Sequence, residues 1–430
     1  MLKTLHLTNA HHESSGGVAT FYRALLSAAP EAGCLVRLAV PAAESRVEAP
    51  DRWTRIYYVR SPRAPFNPAY RMIHPASYLL PGGELRRILN TERPDLVEVC
   101  DKYTLNYLAG LLRTRRLPGV SFRPATVGLS CERMDANVRA YLSPHRAAMA
   151  FARRYMKWLY FPMFDHHITV SGYTAEELRL AARGHKRARA VWIRGMGVDA
   201  AFFRPSRRSP HVRRQLLWLT GAPDDAVLIL YAGRLVPEKN LPLLLDTLQE
   251  LARDADREYR LLIAGSGILS ASLQAEARRR LPGLVTFLGH LGDRERLAEI
   301  HANCDVFLHP NPAEPFGIAP LEAMASGLAL VAPNSGGLLS YANGGNAWLA
   351  CPNARAMAGA VRAASPGSPD REKKIAEARR TAEAHDWPRV AARYFELYRE
   401  LAESVRRDDW APATPPAFVS TPGNWLGMEV

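Results

Sequence analysis

Cysteine is scarce in this chain of 430 residues: there are five, at positions 34, 100, 131, 304 and 351, with no Cys-x-x-Cys spacing among them. That odd, scattered set excludes a disulfide framework and a zinc cage, and it predicts a reduced, cytoplasmic protein. Long apolar runs are missing as well. No stretch approaches the roughly 18 consecutive apolar residues of a membrane-spanning helix. The N-terminal MLKTLHLTNAHHESSGG lacks the apolar core and small-residue cleavage site of a secretory signal. With 47% hydrophobic and 23% charged residues, the composition excludes wholesale disorder, a collagen-like repeat and a coiled coil.

Charge is present, but unevenly. Of the net +14, residues 1–220 carry 34 Lys and Arg against 16 Asp and Glu, whereas the remainder carries 22 against 26. An arginine-rich composition would raise both halves alike, so the asymmetry points to an anionic partner for the first half. No DNA- or RNA-binding motif accompanies the charge, so nucleic acid is not expected. An anionic membrane surface is the expected partner, with the protein peripheral on the inner face of the cytoplasmic membrane.

The length suits two domains, and strands alternate with helices throughout, the pattern of parallel sheets covered on both faces. The expected strands of the first half are Lys3–Thr8, Cys34–Val40, Leu96–Cys100, Ala125–Leu129 and His167–Ser171, with one long helix over Asn137–Tyr160. A second series begins at Val227–Tyr231 and continues through Arg260–Ala264, Val285–Leu288, Val306–His309 and Leu328–Ala332. The predicted fold is α/β, with two doubly wound, Rossmann-like domains facing a central cleft, an N-terminal one over 1–198 and a C-terminal one over 221–385. A linker over 199–220 joins them, and a C-terminal helix and tail over 386–430 pack back on the first domain. The helix over His145–Phe164, with Phe151, Tyr155, Trp158 and Leu159 among Arg153, Arg154 and Lys157, is compatible with a membrane surface, although aromatic residues at helical spacing more often form core. The basic, aromatic stretch Arg52–His74, read as a long loop, is the better surface candidate.

Ligands of such sheets bind beyond the carboxyl ends of the strands, so motifs there carry the chemistry. In EPFGIAPLEAMASGLALVAPNSGG, Glu314 precedes a helix expected to start near Phe316-Gly317, and Glu322 lies eight positions on. Unpaired N–H groups and the positive dipole end of such a helix suit phosphate or sugar oxygens. In AGRLVPEKN, a strand-to-helix loop holds Arg234 and Lys239 where both can fold onto one anion, a fork and a point charge suited to a diphosphate. Gly233 opens that loop, and Gly16-Gly17 would let a ligand approach the backbone after the first strand. Asp254-Ala255-Asp256 matches Asp-x-Asp but sits among arginines at a polar helix end, and no metal is expected there. The adjacent pairs His11-His12 and His166-His167 have diverging side chains in a strand. Gly265-Ser266-Gly267 continues with Ser270, so the dinucleotide fingerprint fails.

These segments, in this order, resemble the retaining glycosyltransferases of family 4 with the GT-B fold, over nearly the whole chain. Gly197-Val198-Asp199, Ala264-Gly265-Ser266-Gly267, Phe287-Leu288-Gly289 and Asp386-Trp387 match as well. The resemblance implies a nucleotide-diphosphate-sugar donor, GDP- or UDP-linked, bound by the domain over 221–385, with the acceptor bound by the domain over 1–198, and no cofactor. It also implies residue roles. Arg234 and Lys239 neutralise the leaving diphosphate, Glu314 and the N–H groups of Phe316, Gly317 and Ile318 hold the hexose, and Glu322 binds ribose. Gly16, Gly17, Gly233 and Gly265 let the donor approach the backbone.

The run Ser130-Cys131-Glu132-Arg133-Met134-Asp135 looks like the Ser-His-Glu-Arg-Leu-Asp of mannosyltransferases acting on phosphatidylinositol mannosides, with Cys131 in the histidine's place. Cys131, Glu132, Arg133 and Asp135 are therefore candidate acceptor contacts. The expected activity moves a hexose, mannose or glucose, onto a membrane lipid or lipid-linked glycan. The alternatives are a soluble sugar phosphate or inositol phosphate acceptor, a sugar-nucleotide epimerase, and a non-catalytic sugar-nucleotide binder.

Overall fold

A computed structural model describes the chain apart from residues 12–15, 65–66, 143–144, 186–189, 254–256, 407–417 and 420–430, with side chains at 67–69 and 418–419 also left aside. His12 and the Asp254-Ala255-Asp256 motif lie outside the described residues. The chain divides into two compact units: residues 1–139, 144–195 and 391–430 form the first, and residues 140–143 and 196–390 the second.

In the first unit the parallel strands run, in spatial order, Thr54–Arg60, Leu35–Ala42, Lys3–Thr8, Leu96–Cys100, Ala125–Ser130, His166–Thr169 and Val191–Ile193. Chain order reverses between Lys3–Thr8 and Leu96–Cys100, which pair from Thr4↔Leu96 to Thr8↔Cys100. This is the doubly wound arrangement, whose crevice opens at that reversal. Buried Glu98, in the middle of its strand, accepts from Tyr22 at 3.1 Å and contacts His6 Nδ1 at 2.9 Å. The hydroxyl of Tyr398, on the C-terminal helix Trp387–Arg406, also donates to Glu98.

Two expectations for this unit fail. The stretch read as a surface loop over 52–74 contains the strand Thr54–Arg60, paired with Leu35–Ala42 from Val36↔Thr54 to Ala42↔Arg60. Arg55 and Arg60 disguise it: Arg60 is exposed at the strand's end, and one buried carboxylate absorbs Arg55 together with cations of the neighbouring strands. Glu92 lies 3.0 Å from Arg37, 2.7 Å from Arg55 and 3.3 Å from Lys3, and it also accepts from the Tyr57 hydroxyl at 2.5 Å. The long helix over 137–160 is instead Met134–Tyr141, then Arg146–Tyr155, a π turn at Met156–Tyr160 and a 3-10 turn at Phe161–Met163. Pro144 in the sequence between the first two has no N–H to continue a helix.

The second unit repeats the strand order: Val285–Gly289, Tyr259–Ala264, Val227–Ala232, Val306–Leu308, Ala329–Pro333 and Trp348–Ala350, all parallel. The reversal falls between Val227–Ala232 and Val306–Leu308. Loops at the carboxyl ends are stitched by backbone bonds: Gly233 N to Ala264 O at 2.9 Å, Leu235 N to Ser266 O at 2.9 Å and Gly265 N to Gly289 O at 2.7 Å. Gly265 has a φ of 148°, and a Cβ there would lie 1.9 Å from Gly233 O. Packing of loop on loop therefore already demands this glycine.

Gly265→Ala is expected to destabilise the second unit by about 2–4 kcal/mol, through strain and collision. Chemical denaturation checks it, and an unchanged midpoint would show that the Gly233 loop can yield.

Candidate active site

The site forms where the two reversal strands of the second unit end. After Val227–Ala232 the chain passes Gly233 and Arg234 into a single 3-10 turn, Pro237–Lys239, closed by Asn240 at φ 53°. Asparagine tolerates this left-handed conformation. Its Nδ2 donates to Pro310 O at 3.0 Å, tying this loop to the one that follows Val306–Leu308. The tie delivers Lys239 to Glu314: Nζ lies 3.0 and 2.7 Å from the two carboxylate oxygens. Asn311 Nδ2 donates to Glu314 Oε2 at 3.0 Å, and His309 Nε2 is 3.4 Å from the same atom. Burial pushes the Glu314 carboxyl up, but Lys239 and His309 outweigh it and hold the group well below the usual carboxylate range.

The Glu314 loop is clamped from behind. Gly337 N donates to Glu314 O at 2.6 Å, and the Tyr341 hydroxyl donates to Gly317 O at 2.6 Å. Phe316 is buried against Tyr341, with ring centroids 5.1 Å apart. Gly336, at φ 87°, would bring a Cβ to 2.8 Å from Pro312 O. Gly317, at φ 91°, caps the helix Ile318–Ala325, which therefore starts slightly later than Phe316-Gly317. Its first N–H groups have no acceptor within the helix. Glu322, on that helix, keeps some solvent access, yet burial pushes its carboxyl up to about 7; Arg294 opposes the rise and Asp199 adds to it.

Arg234 is placed differently from the expectation. It is exposed, with Nη2 3.1 Å from Glu238, so the two cations of the loop rest on different carboxylates.

Residues 15–199 match the model of the family described as Glycosyltransferase Family 4, and residues 213–381 match that described as Glycosyl transferases group 1. A GDP-mannose-dependent alpha-(1-6)-phosphatidylinositol dimannoside mannosyltransferase of Mycobacterium tuberculosis is 32% identical over 412 residues, covering 95% of this chain and 99% of the relative. The chain belongs to glycosyltransferase family 4.

A second relative, a GDP-mannose-dependent alpha-mannosyltransferase of the same species, is 35% identical over 260 residues, 60% of each chain. Sucrose-phosphate synthase from Thermosynechococcus elongatus superposes with a TM-score of 0.73 at 20% identity, covering 94% of this chain and all of that one (100%). Anabaena Alr3699/HepE in complex with UDP and glucose gives 0.67 at 16%, covering 92% and 99%. The fold is GT-B, and the family makes the chain a retaining glycosyltransferase.

In the first unit of this family 4 member, the candidate acceptor residues follow the strand Ala125–Ser130. Cys131 Sγ lies 3.8 Å from Cys100 Sγ. That contact, burial and nearby carboxylates push the Cys131 thiol well up, so it stays protonated. Glu132 offers its carbonyl to Lys102 Nζ at 2.6 Å. Arg133 and Asp135 form a two-pronged pair at 2.9 and 2.6 Å, and Arg133 also donates to Tyr173 O at 3.0 Å. These two charges hold the loop's own shape. Gly16 caps the helix Gly17–Ala32, and a Cβ on it would meet nothing within 4 Å, so packing does not require glycine there. Among the described residues, no group of three His, Cys, Asp or Glu is arranged to hold a metal ion.

Sequence reasoning missed Asn311, His309 and Tyr341. Asn311 and His309 belong to the loop HPNPAEPFG, where no spacing rule singles them out, while Tyr341 stands 24 positions from its partner Gly317.

The Glu322 carboxyl makes a pH prediction. A carboxyl whose folded pKa is raised binds its proton more tightly when folded, so its contribution is complete below the unfolded value and is lost as pH climbs through about 7. Glu322→Gln removes that loss. The melting temperature of the variant relative to wild type should rise between pH 5 and 8; a constant difference would show that Glu322 ionises normally.

Proposed function

We propose that this glycosyltransferase moves mannose from GDP-mannose onto a lipid-linked acceptor of the phosphatidylinositol-mannoside kind. The observation that carries the reading is the 32% identity, over 95% of this chain, to an enzyme whose name states that donor and acceptor class. The basic first half of the sequence supports a lipid surface as the place of reaction.

Breaking the anomeric bond builds negative charge on the departing diphosphate and positive charge on the sugar ring. Groups fixed in advance toward the first are the main catalytic contribution available to such a site. Lys239 is assigned to the diphosphate, with Arg234 beside it in the same loop. Donor binding would then draw Lys239 off Glu314, and the carboxylate, still held by Asn311, would accept from hexose hydroxyls. The N–H groups of Phe316, Gly317 and Ile318 are assigned to the hexose, Glu322 to ribose, and the backbone at Gly16 and Gly17 to close approach of a phosphate. Gly233 and Gly265 shape the loops that carry these groups. In a retaining transfer the acceptor hydroxyl can pass its proton to the departing diphosphate oxygen, so no separate base is assigned.

Thermal shift with GDP-mannose and UDP-glucose tests the donor, since a ligand bound to the native state raises its melting temperature. GDP-mannose should give the larger shift. Lys239→Ala and Glu314→Gln should each retain the fold by circular dichroism while losing about 10²–10³-fold in turnover. Wild-type rates in either variant would overturn the site assignment, and transfer to a soluble inositol phosphate in preference to extracted lipid would overturn the acceptor.

A further inference from the structure

The segment from Ala136 to Phe164 contains no aspartate or glutamate, while it carries Arg139, Arg146, Arg153, Arg154 and Lys157. An aromatic, basic stretch of this kind ordinarily turns its rings inward. Here the inward face is supplied by other residues: Ala152, Met156 and Tyr160 are buried, and Phe161 and Phe164 fill the core behind them. Phe151 is 66% exposed, Trp158 59% and Leu159 45%.

The change from α-helix to π turn at Met156 lies between the first of these and the other two. The turn is anchored, since His185 Nε2 hydrogen-bonds Lys157 O at 2.9 Å and its ring packs on Trp158 with centroids 5.6 Å apart. Lys157 Nζ lies over the Trp158 ring, 5.1 Å from its centroid. A fixed element thus presents two large rings and a leucine to the outside, with the exposed guanidinium groups of Arg146, Arg153 and Arg154 on the same helix.

We propose that this face, Phe151, Trp158 and Leu159 with Arg146, Arg153 and Arg154, is the surface by which the protein docks on a bilayer containing anionic lipid. Single exposed apolar side chains are ordinary. Rings beside cations, with carboxylates absent from the segment, are what an interfacial element requires. The rings enter the boundary between headgroups and acyl chains while the cations meet lipid phosphates. A protein partner with an acidic surface would be met by the cations alone and would leave the rings unused. The inference builds on the lipid-acceptor reading above, and its test keeps the two separable.

The experiment is co-sedimentation of the full chain with phosphatidylcholine vesicles containing about a third phosphatidylglycerol. Wild type should bind, bind less as salt rises, and bind vesicles of phosphatidylcholine alone at least about tenfold more weakly. Phe151→Ser with Trp158→Ser should cut binding about tenfold or more, as should Arg153→Glu with Arg154→Glu. Both pairs are exposed, so the GDP-mannose shift should stay at its wild-type value, and any fall in melting temperature should be confined to the ring pair, whose Trp158 also packs on His185. Failure of wild type to bind, or wild-type binding by the ring variant, would overturn the proposal. Binding that depends on the patch, in an enzyme that glycosylates only soluble acceptors, would sustain the surface and overturn the acceptor instead.

Discussion

The arrangement at the second unit's switch point depends on one desolvated carboxylate. Glu314 is 7% exposed and meets Lys239, Asn311 and His309. Two opposite charges near contact attract by about 5 kcal/mol at an effective dielectric constant of 20, while withdrawing each ion from water costs several kcal/mol. The terms nearly cancel, so the pair is better read as a fixed orientation than as a source of stability. Separating the pair inside the fold is another matter: removing one partner leaves a buried charge alone, at a cost of about 3–5 kcal/mol, so whatever draws Lys239 away must supply a comparable attraction. Asn311 meanwhile supplies the neutral donor that keeps the carboxylate from being stranded.

The two sheets share one strand order but use their switch points differently. In the second unit the reversal strands end in loops that carry the ion pair; at positive φ, Gly265 and Gly336 let backbone pack on backbone there, while Gly233 and Gly317 leave room for the Tyr231 and Tyr341 hydroxyls. In the first unit the corresponding strands end at Thr8 and Cys100, and Gly16 sits in open space. The charges nearby are committed inward: Lys102 pairs with Glu177 at 2.8 Å, and Arg133 with Asp135. Lys102, Glu177, Arg133 and Asp135 thus serve the local structure of the first unit.

Much of this could be read in the sequence. Parallel strands buried on both faces appear as continuous apolar runs such as LILY and LLIA, and these mark both sheets. Glu314 and Lys239 could be singled out because loop chemistry at strand ends is local, but their contact with each other could not. Thr54–Arg60 was not legible, since recognising it requires knowing that Glu92, far along the chain, absorbs Arg37 and Arg55. Asn311 and Tyr341 were hidden for a related reason: each acts through a hydrogen bond whose meaning depends on the folded loop. The aromatic residues of 146–160 pose the opposite difficulty. Helical spacing suggests a core, but spacing alone does not say which of two apolar faces the core will take.

The same distinction between buried and available charge governs the basic first half. Its excess of cations is not uniformly displayed, because Lys3, Arg37 and Arg55 converge on Glu92, while Arg113 and Arg123 lie 3.3 and 2.9 Å from Asp165. Glu92 is accordingly held down at about 2, against its own burial, by the Tyr57 hydroxyl and these cations. Such groups knit the sheet and contribute little to an external field, since each is screened by its partner within a few ångströms. What is left for the surface is the local excess of cations, supplied by segments without carboxylates such as 136–164 and 178–198. Net charge therefore identifies the more basic half of the sequence, whereas only the folded pairing shows which of its cations stay at the surface.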